Sequence, residues 1–336
     1  PLSGQAPARA GIFTRKRERW LSLARYVLKR IGYSLLTILV LAALTFFMMH
    51  LLPGDPFVGT KAIDESTKAM LMAKYGLDKP VWQQFLTYMG NIFKGDLGVS
   101  TQYKRPVMTI IAESFPYSFE LGMRSLIFAA VMGVLLGIVA AVKRGTAWDT
   151  GSMLVAMIGV SVPSFIVGAL LQYFLGVKLF QWTGQRIFPI TGWDTEMSKL
   201  LPAFALSFGT LASLSRLMRS STLDVLSSDY VKTAKAKGLS QAKIIWRHVV
   251  RNAIMPIVTV LGPQAAAILT GAFVVEKIFG IPGMGRFFVN SITSRDYTLI
   301  AGTTLFYGAF LVLANLVVDL LYGIIDPRIR LAGRKE

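Results

Sequence analysis

The sequence predicts an all-α integral membrane protein with six transmembrane helices. Of its 336 residues, 53% are hydrophobic and only 16% are charged, and the mean hydropathy is +0.53. Soluble domains usually contain about a quarter charged residues, so this composition excludes a soluble globular protein. The uncharged stretches are also long, and a helix needs about 20 apolar residues to cross a hydrocarbon core about 30 Å thick.

Five stretches lack Lys, Arg, Asp and Glu over roughly the length of a membrane span. They are Ser34–Leu52, Ser125–Val142, Gly151–Val177, Asn252–Val275 and Tyr297–Val318. A sixth, Leu200–Ser215, is shorter and spans if the basic side chains that follow it extend to the membrane surface. We therefore predict a transmembrane domain over 31–336, with spans at about 31–52, 117–142, 150–177, 198–218, 252–275 and 297–325.

The basic residues predict the orientation of these spans. Six spans place both termini on one side, where 22 Lys and Arg stand against 6 Asp and Glu, while the other side has 13 against 10. Loops rich in Lys and Arg stay in the cytoplasm, so both termini are predicted to be cytoplasmic. Residues 1–30 form a basic amphipathic leader, which we expect to lie on anionic lipid and not on nucleic acid.

The residue types limit the chemistry of the chain. It has no cysteine and two histidines, His50 and His248, which stand far apart in the sequence, so no metal site is predicted. A dense cluster of acidic residues, histidines or nucleophiles at bilayer level is also missing from the sequence pattern. We therefore predict no catalytic residue and no cofactor bound by this chain, and we do not expect it to be an enzyme.

Two loops have helical patterns of their own. The outer loop, 53–116, contains apolar residues at helical spacing over Glu65–Tyr75 and Val81–Phe93, which predicts a small helical cap. The inner loop, 219–251, contains Asp229 as a predicted N-cap for a helix over Tyr230–Lys237, with Gly238 as its stop. A second helix from about Ser240 runs into span five, so the two helices form an elbow at one glycine.

The short helix before Gly238 is a candidate docking element. Tyr230, Thr233, Ala234 and Lys237 share a face by three-and-four spacing, and Lys232 lies beside that face. Small residues flanked by cations suit a groove on another protein. The alternative is a solvated basic loop that only follows the positive-inside rule.

This loop resembles the signature of the permease subunits of ABC importers, specifically the first (B-type) permease of the oligopeptide/dipeptide and nickel group. That signature has Glu-Ala-Ala, then Gly, then Ile-x-Leu-Pro, and this chain has Lys232-Thr233-Ala234, Gly238 and Ile254-Met255-Pro256. Further matching segments are Leu52–Pro56, Tyr75–Pro80, Gly95–Ser100, Glu276–Gly285, Arg295–Tyr297 and Asp326–Arg328.

The resemblance implies an ATP-driven importer that moves oligopeptides or dipeptides across the cytoplasmic membrane of a bacterium. Its implied partners are a second related permease, two cytoplasmic ATPases that bind ATP and Mg, and an extracytoplasmic peptide-binding protein. The helix Tyr230–Lys237 would sit in a groove of an ATPase. The implied coupling residues are Asp229, Tyr230, Lys232, Thr233, Ala234, Lys237 and Gly238, and Pro256 would be a hinge in span five.

Other interpretations stay open at this point. The same architecture could import nickel or another small solute, and an ion-driven secondary carrier is a more distant alternative because paired intramembrane charges are few. Glu120 and Arg124 are four residues apart, so we expect them to pair with each other more than to contact substrate. Gly133 and Gly137 predict a close helix contact, and the segment Ser161–Ser164 predicts a bend in span three.

Overall fold

The computed structural model describes the backbone of residues 7–51, 78–270 and 272–325, and the side chains of 27–51, 78–270 and 272–318. Helices make up the regular structure of these ranges, apart from an isolated bridge between Val99 and Pro106. In chain order they are α1 Pro7–Leu51, α2 Val81–Phe93, α3 Val107–Val142, α4 Ala147–Ser161, α5 Ser164–Thr183, α6 Glu196–Leu226, α7 Asp229–Ala236, α8 Gln241–Ala253, α9 Met255–Thr270, α10 Phe273–Phe279, α11 Met284–Thr293 and α12 Tyr297–Ile325.

The predicted class, an all-α membrane protein, is confirmed. Five helices are long and apolar enough to cross a membrane: α1 from Val27, α3, α5, α6 and α12. Helices α8 and α9 form a pair bent by 50° that would make a sixth span if it crosses as one unit. Length and composition thus support five or six spans, and they do not fix the predicted count of six.

Several helix boundaries differ from the predicted spans. Helix α3 begins at Val107, well before residue 117, because Pro116 is accommodated inside it. The predicted third span is two helices separated at Val162 and Pro163, as the proline motif indicated. Span five ends early, at Thr270, and Phe273 begins the separate short helix α10.

The ends of the chain are only partly described. The described part of the leader, from Pro7, continues without a break into the first span as the 45-residue helix α1. The predicted outer-loop helix Val81–Phe93 is confirmed with the same bounds, as α2. Its predicted neighbour, Glu65–Tyr75, lies outside the described residues, as do the motifs Leu52–Pro56 and Asp326–Arg328.

The α3–α6 contact is the most extensive in the described fold. Glycines permit it, as the sequence pattern indicated. A Cβ atom added at Gly137 would stand 2.6 Å from both the Cβ of Met218 and the carbonyl oxygen of Ser215, and one at Gly133 would stand 2.9 Å from the Cβ of Leu214. The backbones therefore approach too closely for any other residue at these positions.

Contacts between the connecting segments group them at two ends of the molecule. We call the end that contains 78–106, 184–195 and 272–296 the loop face, and the end that contains 143–146 and 227–253 the elbow face. On the loop face, Asp296 accepts hydrogen bonds from the Ser100 hydroxyl at 2.5 Å and from the backbone N–H of Gln102 at 3.1 Å. The same carboxylate accepts from the amide of Leu299 at 3.1 Å and so caps α12. Two motifs far apart in the sequence are thus joined by one buried side chain.

A second buried carboxyl organises α10 and α11. Glu276 is fully buried, and its Oε2 atom accepts a hydrogen bond from the amide of Gly285 at 2.7 Å. Burial raises the pKa of this carboxyl. A Cβ atom added at Gly283 would stand 2.3 Å from the same oxygen, so the glycines of the segment Glu276–Gly285 make room for this side chain.

We expect Gly137→Ala to destabilise the protein by about 1–3 kcal/mol, because the added methyl group overpacks the α3–α6 contact. Gly151→Ala is the matched control: Gly151 also lies in a helix, and within the described structure its Cβ would meet nothing within 4 Å. Helix propensity should leave the control unchanged or up to about 1 kcal/mol more stable. Thermal unfolding of the detergent-solubilised protein measures both, and equal melting temperatures for the two variants would contradict the packing argument.

Candidate functional site

The elbow face contains the predicted docking helix, α7, with one correction at its start. Asp229 is the first helical residue and not the N-cap, which is Ser228. The reason is local: Asp229 sits in the first turn, where a negative charge is favourable, and its Oδ1 atom accepts from the Lys232 ammonium at 2.9 Å. The Ser228 hydroxyl turns back to the carbonyl of Val225 at 2.6 Å.

The end of α7 agrees with the predicted glycine stop. Helix α7 ends at Ala236, Lys237 is its C-cap, and Gly238 adopts φ +73°. Such a left-handed conformation costs a residue with a Cβ atom roughly 1–2 kcal/mol. Within the described structure, a Cβ at Gly238 would meet nothing within 4 Å. The glycine is therefore required by backbone conformation and not by lack of space.

The predicted docking face is corrected at one position. Ala234 is only 5% exposed and Val231 is fully buried, so this side of α7 packs inward. Tyr230, Thr233 and Lys237 do lie on the exposed side, together with Asp229, Lys232, Lys235 and Ala236. Sequence spacing grouped Ala234 with its exposed neighbours because it overlooked Val231, one turn earlier, whose apolar side chain decides which side faces the core.

Val231 and Ala234 belong to a hydrophobic cluster that we call the elbow core. Its buried members come from α3, α6, α7, α8 and α9: Ile138, Leu214, Met218, Val231, Ala234, Ile244, Val249, Ala253 and Ile257. A short exposed helix is thereby packed against the ends of two long helices and the start of α9. A displacement of α7 must displace this core as well, because protein interiors are close-packed.

Two hydrogen bonds reinforce the elbow core, and neither was predicted. The side-chain amide of Asn252 in α8 donates a hydrogen bond to the hydroxyl of Tyr230 in α7 at 3.0 Å. The hydroxyl of Ser221 in α6 donates to the carbonyl of Ala253 at 2.8 Å in a buried position. Only the fold brings these residues together, so spacing along the chain gave no signal for them.

The bend ahead of span five lies next to the predicted hinge. Helices α8 and α9 meet at Ile254 at an angle of 50°. Pro256 is the second residue of α9, where the missing backbone N–H has no intrahelical partner to lose. Pro256, predicted as a hinge in span five, therefore occupies the first turn of α9, and the change of direction occurs just before it.

An ion pair fixes the other connection of the elbow face. The carboxylate of buried Asp149 in α4 accepts from Nε and Nη2 of Arg219 in α6, at 2.6 and 2.8 Å, and from the amide of Gly145 at 3.0 Å. Hydrogen bonds from the Arg219 guanidinium, then from Gly145, lower the pKa of Asp149 from 3.8 to about 2. A lowered pKa stabilises the fold above about pH 4, and that contribution disappears as the pH falls towards 2.

The loop face contains a network of paired charges. The expected pair of Glu120 and Arg124 is present at 2.8 Å, and the Arg124 guanidinium also contacts Glu196 at 2.7 Å. The Lys199 ammonium contacts both carboxylates at 3.1 Å, and the Trp193 indole donates to Glu120 at 3.0 Å. Two acids and two bases neutralise one another here, which supports local pairing as the role of Glu120 and Arg124.

Metal binding finds no support in the described ranges. There, no group of three or more His, Cys, Asp or Glu residues could hold a metal ion. The features that remain are mechanical: an exposed short helix, its glycine stop, and the core beneath it.

This chain matches two family models and several transport permeases. The family model described as binding-protein-dependent transport system inner membrane component matches residues 133–331, and the model for the N-terminal part of such membrane components matches residues 23–122. The dipeptide transport system permease protein DppB of Bacillus subtilis is 45% identical over 312 residues, which is 92% of this chain and 99% of that protein. DppB of Lactococcus lactis is 42% identical over 92% of this chain and 100% of that protein.

An oligopeptide permease is similar over the same length. The oligopeptide transport system permease protein OppB of Haemophilus influenzae is 40% identical, covering 92% of this chain and 100% of that protein. The matches thus extend over nearly the whole length of each relative. The chain therefore belongs to the family of inner membrane components of binding-protein-dependent transport systems.

Proposed function

We propose that this chain is the first permease subunit of an ATP-driven ABC importer that moves dipeptides or oligopeptides across the bacterial cell membrane. The observation that carries the proposal is 45% identity over 92% of the chain to a dipeptide permease. The helical architecture and its five or six apolar spans are what a membrane conduit requires.

The proposed partners follow from this role. A second related permease completes the pathway, two cytoplasmic ATPases bind ATP and Mg, and an extracytoplasmic binding protein delivers the peptide. This chain itself performs no covalent chemistry and holds no cofactor. Lipid contacts its apolar outer surface.

The proposed orientation puts the elbow face and both termini in the cytoplasm, where the ATPases are. The supporting observation is charge: the elbow segment from Tyr230 to Arg251 contains six Lys and Arg residues and no Asp or Glu, as expected for a cytoplasmic loop. The loop face then receives the binding protein.

The elbow is the proposed coupling device. An ATPase groove grips the exposed side of α7, at Asp229, Tyr230, Lys232, Thr233 and Lys237. Ala234 packs in the elbow core and so holds α7 against the helices beneath it. Gly238 sets the angle at which α7 meets α8. Movement of α7 then passes through the Tyr230–Asn252 hydrogen bond to α8, and from there across the bend before Pro256 into α9.

Uptake by a reconstituted complex of the two permeases and two ATPases, supplied with the binding protein, tests the proposed function. We expect ATP-dependent uptake of dipeptides, tripeptides or longer peptides that requires the binding protein, and none of nickel, offered in parallel. Uptake of nickel alone would assign the alternative substrate. Transport by this chain without ATPases would contradict the proposed mechanism.

Gly238→Val should increase the ATP hydrolysed per peptide transported, because a β-branched residue resists positive φ and changes the angle between α7 and α8. Gly145→Val is the matched control, since Gly145 has φ +79° in the other connection of the elbow face and its Cβ would meet nothing within 4 Å in the described structure. ATPase and uptake rates on the same vesicles give the ratio. If both variants keep the wild-type ratio, the elbow does not transmit the movement.

Tyr230→Phe and Asn252→Ala should each weaken coupling without releasing the ATPases, because each removes one partner of the same hydrogen bond. A bond of this kind contributes about 1 kcal/mol, so we expect a change in the ATP-to-peptide ratio of up to about fivefold. The double variant should resemble either single one, as a double-mutant cycle requires for a direct interaction. Fully additive effects would show that the two side chains act separately, and copurification of the ATPases checks that docking is intact.

A further inference from the structure

Helix α2 is unusual among the connecting segments because its thirteen residues, VWQQFLTYMGNIF, include no charged side chain. Lys79 and Lys94 stand just outside its two ends. A water-exposed cap, the role expected from the sequence, normally carries charges on its outer side. Lysines at the two ends of such a helix can extend their ammonium groups to water while the apolar residues between them lie in a membrane surface.

One side of α2 packs on the end of α1. The ring centroid of Phe85 lies 5.4 Å from the ring centroids of both Phe46 and Phe47. The ring centroid of Tyr88 lies 5.3 Å from that of Phe46. The side chains of His50 and Gln84 are joined by a hydrogen bond of 3.0 Å. These contacts fix the position of α2 along α1.

That position lies at the membrane boundary. The candidate span within α1 is Val27–Leu51, and its uncharged part begins after Arg30. At 1.5 Å per residue, Phe46 and Phe47 lie about 6–8 Å before Leu51. The polar headgroup zone on each side of the hydrocarbon core is about 5–8 Å thick. A helix that touches Phe46, Phe47 and His50 therefore lies where hydrocarbon gives way to headgroups.

A second side of α2 carries an apolar stripe. Trp82, Leu86 and Phe93 project from nearly the same side of the helix and are 61%, 60% and 78% exposed. The polar residues Gln83, Thr87 and Asn91 lie on a different side. The helix thus has an α1 side, an apolar stripe and a polar side.

The end of α1 that α2 contacts also carries exposed apolar side chains. At the same end of α1, Leu44, Met48 and Leu51 are exposed large apolar side chains, as expected for the lipid-facing side of a span. Tryptophan is enriched at the headgroup level, where its ring is partly in hydrocarbon. The contact of α2 with the end of α1, its depth and its lack of charged side chains all favour lipid as the neighbour of the stripe.

We propose that α2 lies in the membrane surface at the loop face, with Trp82, Leu86 and Phe93 inserted among the acyl chains of the lipid. Its polar side faces water, and its α1 side holds it beside the first span. The helix then anchors the connection that leads to the Asp296 hydrogen bonds and to α3. The proposal rests on the chain spanning a membrane and does not depend on the identity of the substrate.

Spin labelling tests the proposal directly, because the chain has no native cysteine. Labels are placed one at a time through Trp82→Cys, Leu86→Cys and Phe93→Cys, with Gln83→Cys and Thr87→Cys as controls on the polar side of the same helix. The complete complex is reconstituted in vesicles of phosphatidylethanolamine and phosphatidylglycerol. Collision with oxygen, which concentrates in lipid, is compared with collision with a water-soluble nickel chelate.

We expect the ratio of oxygen to nickel-chelate collision rates to be at least threefold higher at the stripe positions than at the controls. Ratios equal to those of the controls would place the stripe in water and overturn the proposal. Low collision rates with both oxygen and the nickel chelate would also overturn the proposal, since they would show that protein, such as the second permease or the binding protein, covers the stripe. The three stripe positions are independent, so a variant that loses ATP-dependent uptake is set aside and the others decide.

Discussion

The close contact of α3 with α6 is the interaction on which the other features depend. Gly133 and Gly137 let the two backbones approach, and both ends of this pair then carry polar connections. Near the loop face, Glu120 and Arg124 of α3 pair with Glu196 and Lys199 of α6. Lipid offers little hydrophobic driving force between helices, so close packing and polar contacts must supply the association.

The elbow uses that rigid pair as its support. Ile138 of α3 and Met218 of α6 contribute to the same cluster as Val231 and Ala234 of α7. Helix α7 is anchored on one side by this cluster and exposed on the other, which is the arrangement that the proposed coupling requires. The hydrogen bonds of Tyr230 with Asn252 and of Ser221 with Ala253 extend the anchoring to α8, directly ahead of the bend into α9.

The loop face is organised differently, by buried carboxyls. Asp296 joins the segment near Ser100 to the start of α12, while Glu276 holds the turn that precedes α11. Buried carboxyl groups are costly without partners, so these contacts fix the connections in one arrangement. The interfacial position inferred for α2 would add a lipid anchor to the same face.

Local sequence patterns were enough to establish the class of the protein, the approximate places of its spans, the bounds of α2 and the stop at Gly238. These properties are local: a bilayer excludes backbone that is not hydrogen-bonded within its own segment, and only glycine readily takes the required φ. Packing between helices established that Ala234 faces inward, that Ser228 and not Asp229 precedes α7, and that Asn252 contacts Tyr230. Those outcomes depend on which side of each helix meets a neighbour, and helical spacing identifies the residues that share a side without showing which side is buried.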